Sequence, residues 1–404
     1  TFFIERINIF GNNVTRENVI RNQLEIDEGD PYNEILANKS INNIKNLNFF
    51  KTVTSTIKEG TNENQKIIDI SVEEKPTGEI TAGAGVGTSG NTLGFGVREN
   101  NFLGRGIGLN SNIEFSTESI KGRFNVNNPN FLNSDKSVYT SIEAQEIDKL
   151  TDYGYKTNKT GFLFGTNFEY LDDFRVGIGT SNFYEKIETD ASASRNMRRQ
   201  EGDYWDSFAN FSFDLDKRNQ KFQTTDGYRS LYYLNVPFVS DTNTLKNTYN
   251  YKYFAELYEE NITTFSVYLS AANSLSNDNV KLSERLNVPS DKLRGFEFGK
   301  VGPKDGADFI GGNYVSTLNL SSTLPNFLEN AQNTDFLFFI DAANIWGVDY
   351  DSSIDNSNQI RSSIGLGLDW FTPVGPLSFS ISQPLTKAAS DQTESFRFNL
   401  GTSF

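Results

Sequence analysis

Five places in the 404-residue chain hold residue types whose spacing could carry chemistry. Gly85-Val86-Gly87-Thr88-Ser89-Gly90 satisfies G-x-G-x-x-G, the pattern by which a strand-to-helix turn holds a pyrophosphate. That chemistry needs a helix after the last glycine. Another alternating segment follows here, so no nucleotide site is read from it. Asp214-Leu215-Asp216 and Asp349-Tyr350-Asp351 open like calcium loops, yet Asn219 and Ile354 stand where such a loop requires glycine. Both are read as lumen or loop carboxylates, and Asp172-Asp173 as an acidic turn. Arg294-Gly295-Phe296 remains: a cation in a loop with few others, next to a residue that permits positive φ or close backbone approach.

Composition removes most of the remaining chemistry. There is no His and no Cys, which excludes a Ser-His-Asp triad, a histidine zinc site, a nucleophilic thiol and a disulfide framework. No metal site, no cofactor and no enzymatic activity is expected. Thirty-seven basic residues against 52 acidic ones give a net charge of −15, which argues against a nucleic-acid partner. Mean hydropathy is −0.49 and no apolar run is long enough for a membrane helix. A transmembrane β-barrel stays open, because its alternating strands average to a polar score. The 34 Phe, 17 Tyr and 32 Gly suit aromatic girdles better than a soluble core.

The elements that must position these residues fall into two regions of different period. The chain starts at Thr1 without Met or signal peptide and is read as a piece of a longer protein. Residues 1–76 read as a small β-α-α-β-β unit. A strand at Phe2–Ile9 is followed by a helix capped by Thr15, with Val19, Ile20 and Leu24 on one face. A second helix groups Ile35, Ile41, Ile44 and Leu47, and strands follow near 51–59 and 66–73. Pro76 marks the boundary.

From residue 77 to 404 the period becomes two. Ile80, Ala82, Ala84 and Val86 alternate with Thr81, Gly83, Gly85 and Gly87; Phe396, Phe398, Leu400 and Phe404 alternate with Arg397, Asn399, Gly401 and Ser403. The polar partners suit a wet lumen and the apolar set a lipid face. Such segments number about sixteen between 79 and 404, the even count that single-chain barrels have. The fold class is therefore an all-β transmembrane barrel of sixteen antiparallel strands preceded by one small α/β domain. The longest gap, about 275–309, carries Arg294. A stretch of that length is functional or counts against the assignment.

Leu293-Arg294-Gly295-Phe296 in that loop resembles the (V/L)-R-G-F signature of the BamA family of outer-membrane assembly barrels. Further segments are similar in the right order. Phe49–Val53 and Val72–Pro76 resemble the ends of a POTRA repeat; Asp216–Asn219, Phe222 and Thr225–Gly227 resemble the mid-barrel strand and turn. Gly311-Gly312-Asn313 opens the strand after the loop, Phe339-Ile340-Asp341 matches an F-x-D strand, and Trp370–Leu377 matches the penultimate hairpin. One departure stands out. In that family the position eight beyond the Asn is acidic, and here it is Ser321, which puts a second carboxylate beside the loop arginine in doubt.

The resemblance implies a barrel in the bacterial outer membrane whose last POTRA domain lies in the periplasm, with further repeats upstream of Thr1. It implies a non-enzymatic insertase that folds and inserts β-barrel proteins. Its partners would be unfolded outer-membrane proteins, accessory outer-membrane lipoproteins, periplasmic chaperones, membrane lipid and lipopolysaccharide. Two sets of residues would carry the work. Alternation puts Phe336, Phe338 and Ile340 toward lipid and Asp341 into the lumen, where Arg294, Gly295 and Phe296 would anchor the loop on it. Otherwise Arg294 is an ordinary solvated charge. Gly83, Gly85 and Gly87 weaken the first strand, so 79–88 would pair poorly with 395–404, where Phe396, Phe398, Leu400 and Phe404 lie. The open edge would template an incoming strand. The same glycines also make room in the lumen. A two-partner secretion transporter or TamA-like autotransporter assembly factor shares the plan, and a passive porin is the rival of another class.

Overall fold

The computed structural model describes residues 2–88, 90–220, 224–258, 261–324, 334–354, 358–372 and 375–401. Ser89, Phe222, Pro373, Val374 and Phe404, all used above, lie outside the described residues. By compactness the chain divides into two units. One holds Thr1–Thr81, Gly96–Asn112 and Phe124–Ser141; the other holds Ala82–Phe95, Ile113–Arg123 and Ile142–Phe404.

The first unit opens with three strands in the order β1-β3-β2: β1 (Phe3–Phe10), β2 (Phe50–Glu59) and β3 (Gln65–Glu74). β1 runs parallel to β3, and β2 antiparallel to it. Helices α1 (Glu17–Arg21) and α2 (Glu34–Asn46) pack Ile20, Ile41 and Ile44 against Ile4, Ile7, Ile68 and Ile70 of the sheet. Asn33 caps α2 by accepting from the Ile35 and Leu36 N–H groups.

Three local expectations fail here. Thr15 does not cap α1, because its hydroxyl accepts from Asn101 at 2.8 Å; Arg16 holds the cap position without a side-chain bond. The helix also stops at Arg21, and Leu24 reaches the core from the turn beyond it. Ile35 is 78% exposed, while Leu36 and Ala37 pack inward in its place. The face facing the sheet is set by Ile41 and Ile44, and Ile35 is out of phase with them at 3.6 residues per turn.

Sixteen antiparallel strands close into a barrel. They begin with β4 (Gly78–Gly87), β5 (Gly90–Phe102), β6 (Ile107–Ser116), β7 (Ser119–Asn128) and β8 (Ser137–Lys149). After α3 (Leu150–Tyr153) come β9 (Tyr155–Leu171) and β10 (Phe174–Thr189). After α4 (Arg195–Arg198) come β11 (Gly202–Asp216), β12 (Gly227–Ser240), β13 (Thr244–Tyr258) and β14 (Asn261–Ser274). A two-residue hairpin, β15 (Lys304–Asp305) and β16 (Asp308–Phe309), sits within the long loop. The barrel resumes with β17 (Tyr314–Thr323), β18 (Thr334–Trp346), β19 (Arg361–Thr372), β20 (Gly375–Thr386) and β21 (Phe396–Gly401). The strands alternate, with bulges that shift the register on β12 and β20. On β9 Phe162 and Phe164 face outward while Thr157 is buried, and on β19 Leu366 and Trp370 face outward while Ser363 is buried. Closure removes the sheet edges that an open structure of this length would expose.

Candidate functional site

The loop between β14 and β17 builds its own structure. Two 3-10 turns, Leu282–Glu284 and Ser290–Lys292, precede Arg294, and the β15–β16 hairpin follows it. Asp341, on the inward face of β18, is wholly buried. It accepts four hydrogen bonds. Three come from Arg294: Nε at 2.7 Å, Nη2 at 2.8 Å and the backbone N–H at 3.1 Å. The fourth comes from Asn319 Nδ2 on β17 at 2.9 Å, and Asn319 also donates to the Lys292 carbonyl at 2.7 Å. The guanidinium lies 3.4 Å over the Phe339 ring, which shares the inward phase of β18 with Asp341. A bidentate, multiply donated carboxylate is the geometry in which a buried ion pair holds its position, and its loss leaves an uncompensated charge.

Gly295 has φ +90°, and a Cβ there would lie 3.2–3.3 Å from Ser363 and Ser382. Its carbonyl accepts from the Glu394 N–H at 3.1 Å. The Arg294 carbonyl accepts from Ser363 Oγ at 2.5 Å. Phe296 is 1% exposed among Val288, Leu293, Val301, Val315, Ala343 and Ile345. Arg294, Gly295, Phe296 and Asp341 therefore meet in one place. Ser321 is not at this carboxylate; the second polar partner comes from Asn319, two positions earlier on the same strand face.

Several residues of the site escaped sequence reasoning. Arg397 of β21 donates to the Phe296 carbonyl at 2.8 Å and to the Ser290 carbonyl at 2.5 Å, and pairs with Glu394. Alternation puts Arg397 in the lumen, which is the signal that could have singled it out. At the other end of the loop Lys281 is buried and bonds Glu185 of β10 at 2.6 Å and Asp206 of β11 at 2.5 Å. Burial alone would lower the lysine pKa, but Glu185, Glu284 and Asp206 outweigh it and raise it. Arg285 pairs with Asp349, whose carboxyl is driven below its ordinary range: burial opposes this, but the Val280 N–H and Arg285 prevail. No sequence signal marks Lys281 or Arg285. The loop is thus tied by charge to β10 and β11 at one end and to β18 and β21 at the other.

The barrel closes at a seam between β4 and β21. Among the described residues it pairs Asn399 with Gly87, Leu400 with Val86 and Gly401 with Gly85, and Thr88 N–H donates to the Phe398 carbonyl at 3.0 Å. Gly83 has no partner on β21 among them. Gly87 is a close-approach glycine: a Cβ there would stand 2.7 Å from the Phe398 carbonyl oxygen and closer still to Asn399. Phe396 and Phe398 pack with Phe379 of β20, at 6.5 and 5.3 Å between ring centroids.

Comparison with known proteins follows the same division. Residues 101–404 match the Omp85 superfamily domain, and residues 2–75 match the POTRA model described as a surface antigen variable number repeat. The outer membrane protein assembly factor BamA of Neorickettsia risticii is 25% identical, over 99% of this chain and 55% of its own. The crystal structure of BamA from Haemophilus ducreyi lacking POTRA domains 1-3 has the same fold (TM-score 0.86, 23% identity, 100% of this chain and 85% of that one). CdiB from Escherichia coli shares it at TM-score 0.65 and 13% identity, over 100% of this chain and 76% of that one. The chain spans about half the length of the curated BamA relatives it matches. With its family model covering the barrel and a POTRA unit before it, the chain belongs to the Omp85 superfamily, as a BamA-family outer-membrane barrel with a periplasmic POTRA domain.

Proposed function

We propose that this chain is the membrane part of an assembly factor that folds and inserts β-barrel proteins into the bacterial outer membrane. It acts by offering β4 as a template at the β4–β21 seam. The observation that supports the reading is that, among the described residues, β21 pairs with β4 at three positions. Each backbone hydrogen bond is worth about 0.5–1.5 kcal/mol net, so a ladder this short opens at a cost of a few kcal/mol. Opening exposes unpaired N–H and C=O groups, on which an extended segment adds as a new strand. The templating is backbone pairing and needs no covalent step.

In this reading the loop anchor sets how far β21 moves. Arg294 holds the loop on β18, Gly295 lets it approach β19 and β20, and Arg397 ties β21 to the same loop. Gly83, Gly85 and Gly87 keep β4 weakly committed, and Phe396, Phe398 and Leu400 lie on the strand that parts from it. Unfolded outer-membrane proteins are the substrates. Accessory lipoproteins and periplasmic chaperones deliver them at the POTRA domain, and lipid and lipopolysaccharide surround the barrel.

The test uses the cysteine-free background. Val86 and Leu400 are directly opposed, so Val86→Cys with Leu400→Cys forms a lockable pair. Under oxidising conditions the locked chain should stop inserting a client barrel into vesicles, and reduction should restore it. Insertion at the normal rate with the disulfide formed would sink the template reading. A secretion transporter would instead go on passing its passenger through the lumen with the seam locked.

A further inference from the structure

One cavity of the first unit is unlike the rest of this acidic chain. It measures about 270 Å³ and is walled by α1 and by the turns after β5 and β7. Two arginines line it, Arg16 and Arg105, and no carboxylate does. Neither arginine has an acidic partner among the described residues, in a chain with 52 acidic residues. Asn18, Asn22, Asn128, Asn130 and Asn133 add polar amides, of which Asn18 and Asn22 donate to Asn133 Oδ1 at 2.8 and 3.4 Å and Asn130 to the Ser134 carbonyl at 3.3 Å, and Val19, Leu47 and Ile107 give an apolar floor. Two unpaired guanidinium groups beside amides and away from any carboxylate make an anion site, and phosphate oxygens fit that fork geometry.

The turns that wall the cavity carry a second signal. Leu103 has φ +53° and Leu132 φ +55°, a region that side chains larger than glycine rarely occupy. Both point outward, at 67% and 82% exposure, beside the half-exposed Phe102 and Phe131. Backbone strain that presents a large apolar side chain to the outside is held for a purpose other than packing. The frame beneath is rigid. Asn101 bonds the Thr15 hydroxyl and the Gly106 N–H, at 2.8 and 2.7 Å, and the Gly104 carbonyl accepts from the Arg16 N–H at 2.8 Å. These turns follow β5 and β7 on the rim at which β4 starts, so in an outer-membrane barrel with a periplasmic POTRA domain they lie at the periplasmic leaflet. A basic cavity rimmed by exposed leucine and phenylalanine at that level matches a molecule with a phosphate head and acyl tails.

We propose that Arg16 and Arg105 bind the phosphate of a phospholipid of the periplasmic leaflet, with Leu103 and Leu132 against its acyl chains. The site is independent of the seam, so a failed lock experiment leaves it standing and its own failure leaves the template standing.

The full chain in neutral detergent is titrated calorimetrically with dihexanoyl phosphatidylglycerol below its micellar concentration, and in parallel with inorganic phosphate and with uncharged dihexanoyl glycerol. Saturable one-to-one binding of the phospholipid is expected, with each of the other two at least tenfold weaker. The double variant Arg16→Ala, Arg105→Ala keeps every backbone bond named above and should weaken phospholipid binding tenfold or more. Leu132→Gly relieves the positive φ, so its melting temperature should hold or rise while affinity falls. Equal affinity for inorganic phosphate would mark a free-anion site and overturn the lipid assignment. Equal affinity for the uncharged glyceride would make the arginines irrelevant. Absence of phospholipid binding, or affinity unchanged in either variant, would overturn the proposal as stated.

Discussion

The wall formed by β9, β10 and β11 and the seam between β21 and β4 are built by the same rule from the same kinds of residue, yet they differ in the number of described pairs. β10 pairs with β9 from Phe174 to Thr189 and with β11 from Phe174 to Ile187. β21 pairs with β4 over three described residues. Alternation specifies which face of a strand is buried but not how many residues its neighbour offers. On the template reading proposed above, the part of the barrel that opens is the one with three described pairs, and the wall is the part that stays closed. The long loop joins the two regions, holding the wall through Lys281 and the seam strand through Arg397.

The largest effect should come from breaking the loop's central tie. Arg294→Ala leaves the wholly buried Asp341 with Asn319 and the residue 294 N–H but no cation, a loss of about 3–5 kcal/mol to the docked loop. Proteolysis within 275–309 should accelerate strongly, and the double variant with Asp341→Asn should recover part of the protection. An unchanged cleavage rate would mean that the loop does not depend on this pair. Arg397→Gln should show the same change more weakly, since Glu394 and Thr393 continue to hold the segment by backbone bonds and bridges.

A pair of glycines tests the comparison itself. A Cβ at Gly161 in the wall would lie 2.1 Å from the Asn182 carbonyl oxygen, and one at Gly87 in the seam 2.7 Å from that of Phe398. Gly161→Ala should lower the unfolding midpoint of the barrel by an amount typical of overpacking, about 1–3 kcal/mol. Gly87→Ala should leave that midpoint nearly unchanged while raising crosslinking of a client segment to β4. Equal thermal effects would erase the distinction between wall and seam.

The smallest effect lies outside the barrel and checks that pH acts separately there. Glu74 accepts from the Thr15 and Val14 N–H groups at 2.6 and 2.9 Å. Burial pushes its carboxyl up, but these donors prevail and hold it below the ordinary glutamate range. A lowered folded pKa means stability that is present above the unfolded value, about 4.3, and is lost as pH falls through the folded one. Protection of the Val14 and Thr15 amides, corrected for intrinsic exchange, should fall with acid in the native chain. In Glu74→Gln it should stay flat. The difference at neutral pH should be below about 1 kcal/mol, because the carboxylate is partly solvated. A variant that keeps the native pH slope would remove Glu74 from the account.

Much of this was legible in the residues, and unevenly so. The period-two alternation, the count of sixteen strands and the lumen-facing place of Asp341 follow from which face a side chain takes, and that is a local property; the resemblance to the family motifs implied Arg294 as its partner. The failures were also local in origin. Thr15 looked like a helix cap and is instead spent on Asn101, 86 positions away, because a tertiary partner outbids the nearest backbone donors. Ile35 was grouped with Ile41 and Ile44 although helical phase separates them, and Leu36 takes its place in the core. Phe404 and part of the penultimate hairpin lie beyond the described residues and bear on neither judgement.

Residue types and their spacing determined that this chain makes a closed, lipid-facing barrel with an α/β unit before it and works without histidine or thiol chemistry. Those conclusions rest on periodicity and composition, which need no knowledge of what lies across the lumen. The tertiary structure alone decided that Asn319 rather than Ser321 supports Asp341, that Lys281 ties the loop to β10 and β11, and that Arg397 ties it to the last strand. It alone brought two unpaired arginines to one cavity. Each of these depends on residues far apart in sequence meeting at one register of a closed sheet. Barrel closure sets that register, and no single segment encodes it.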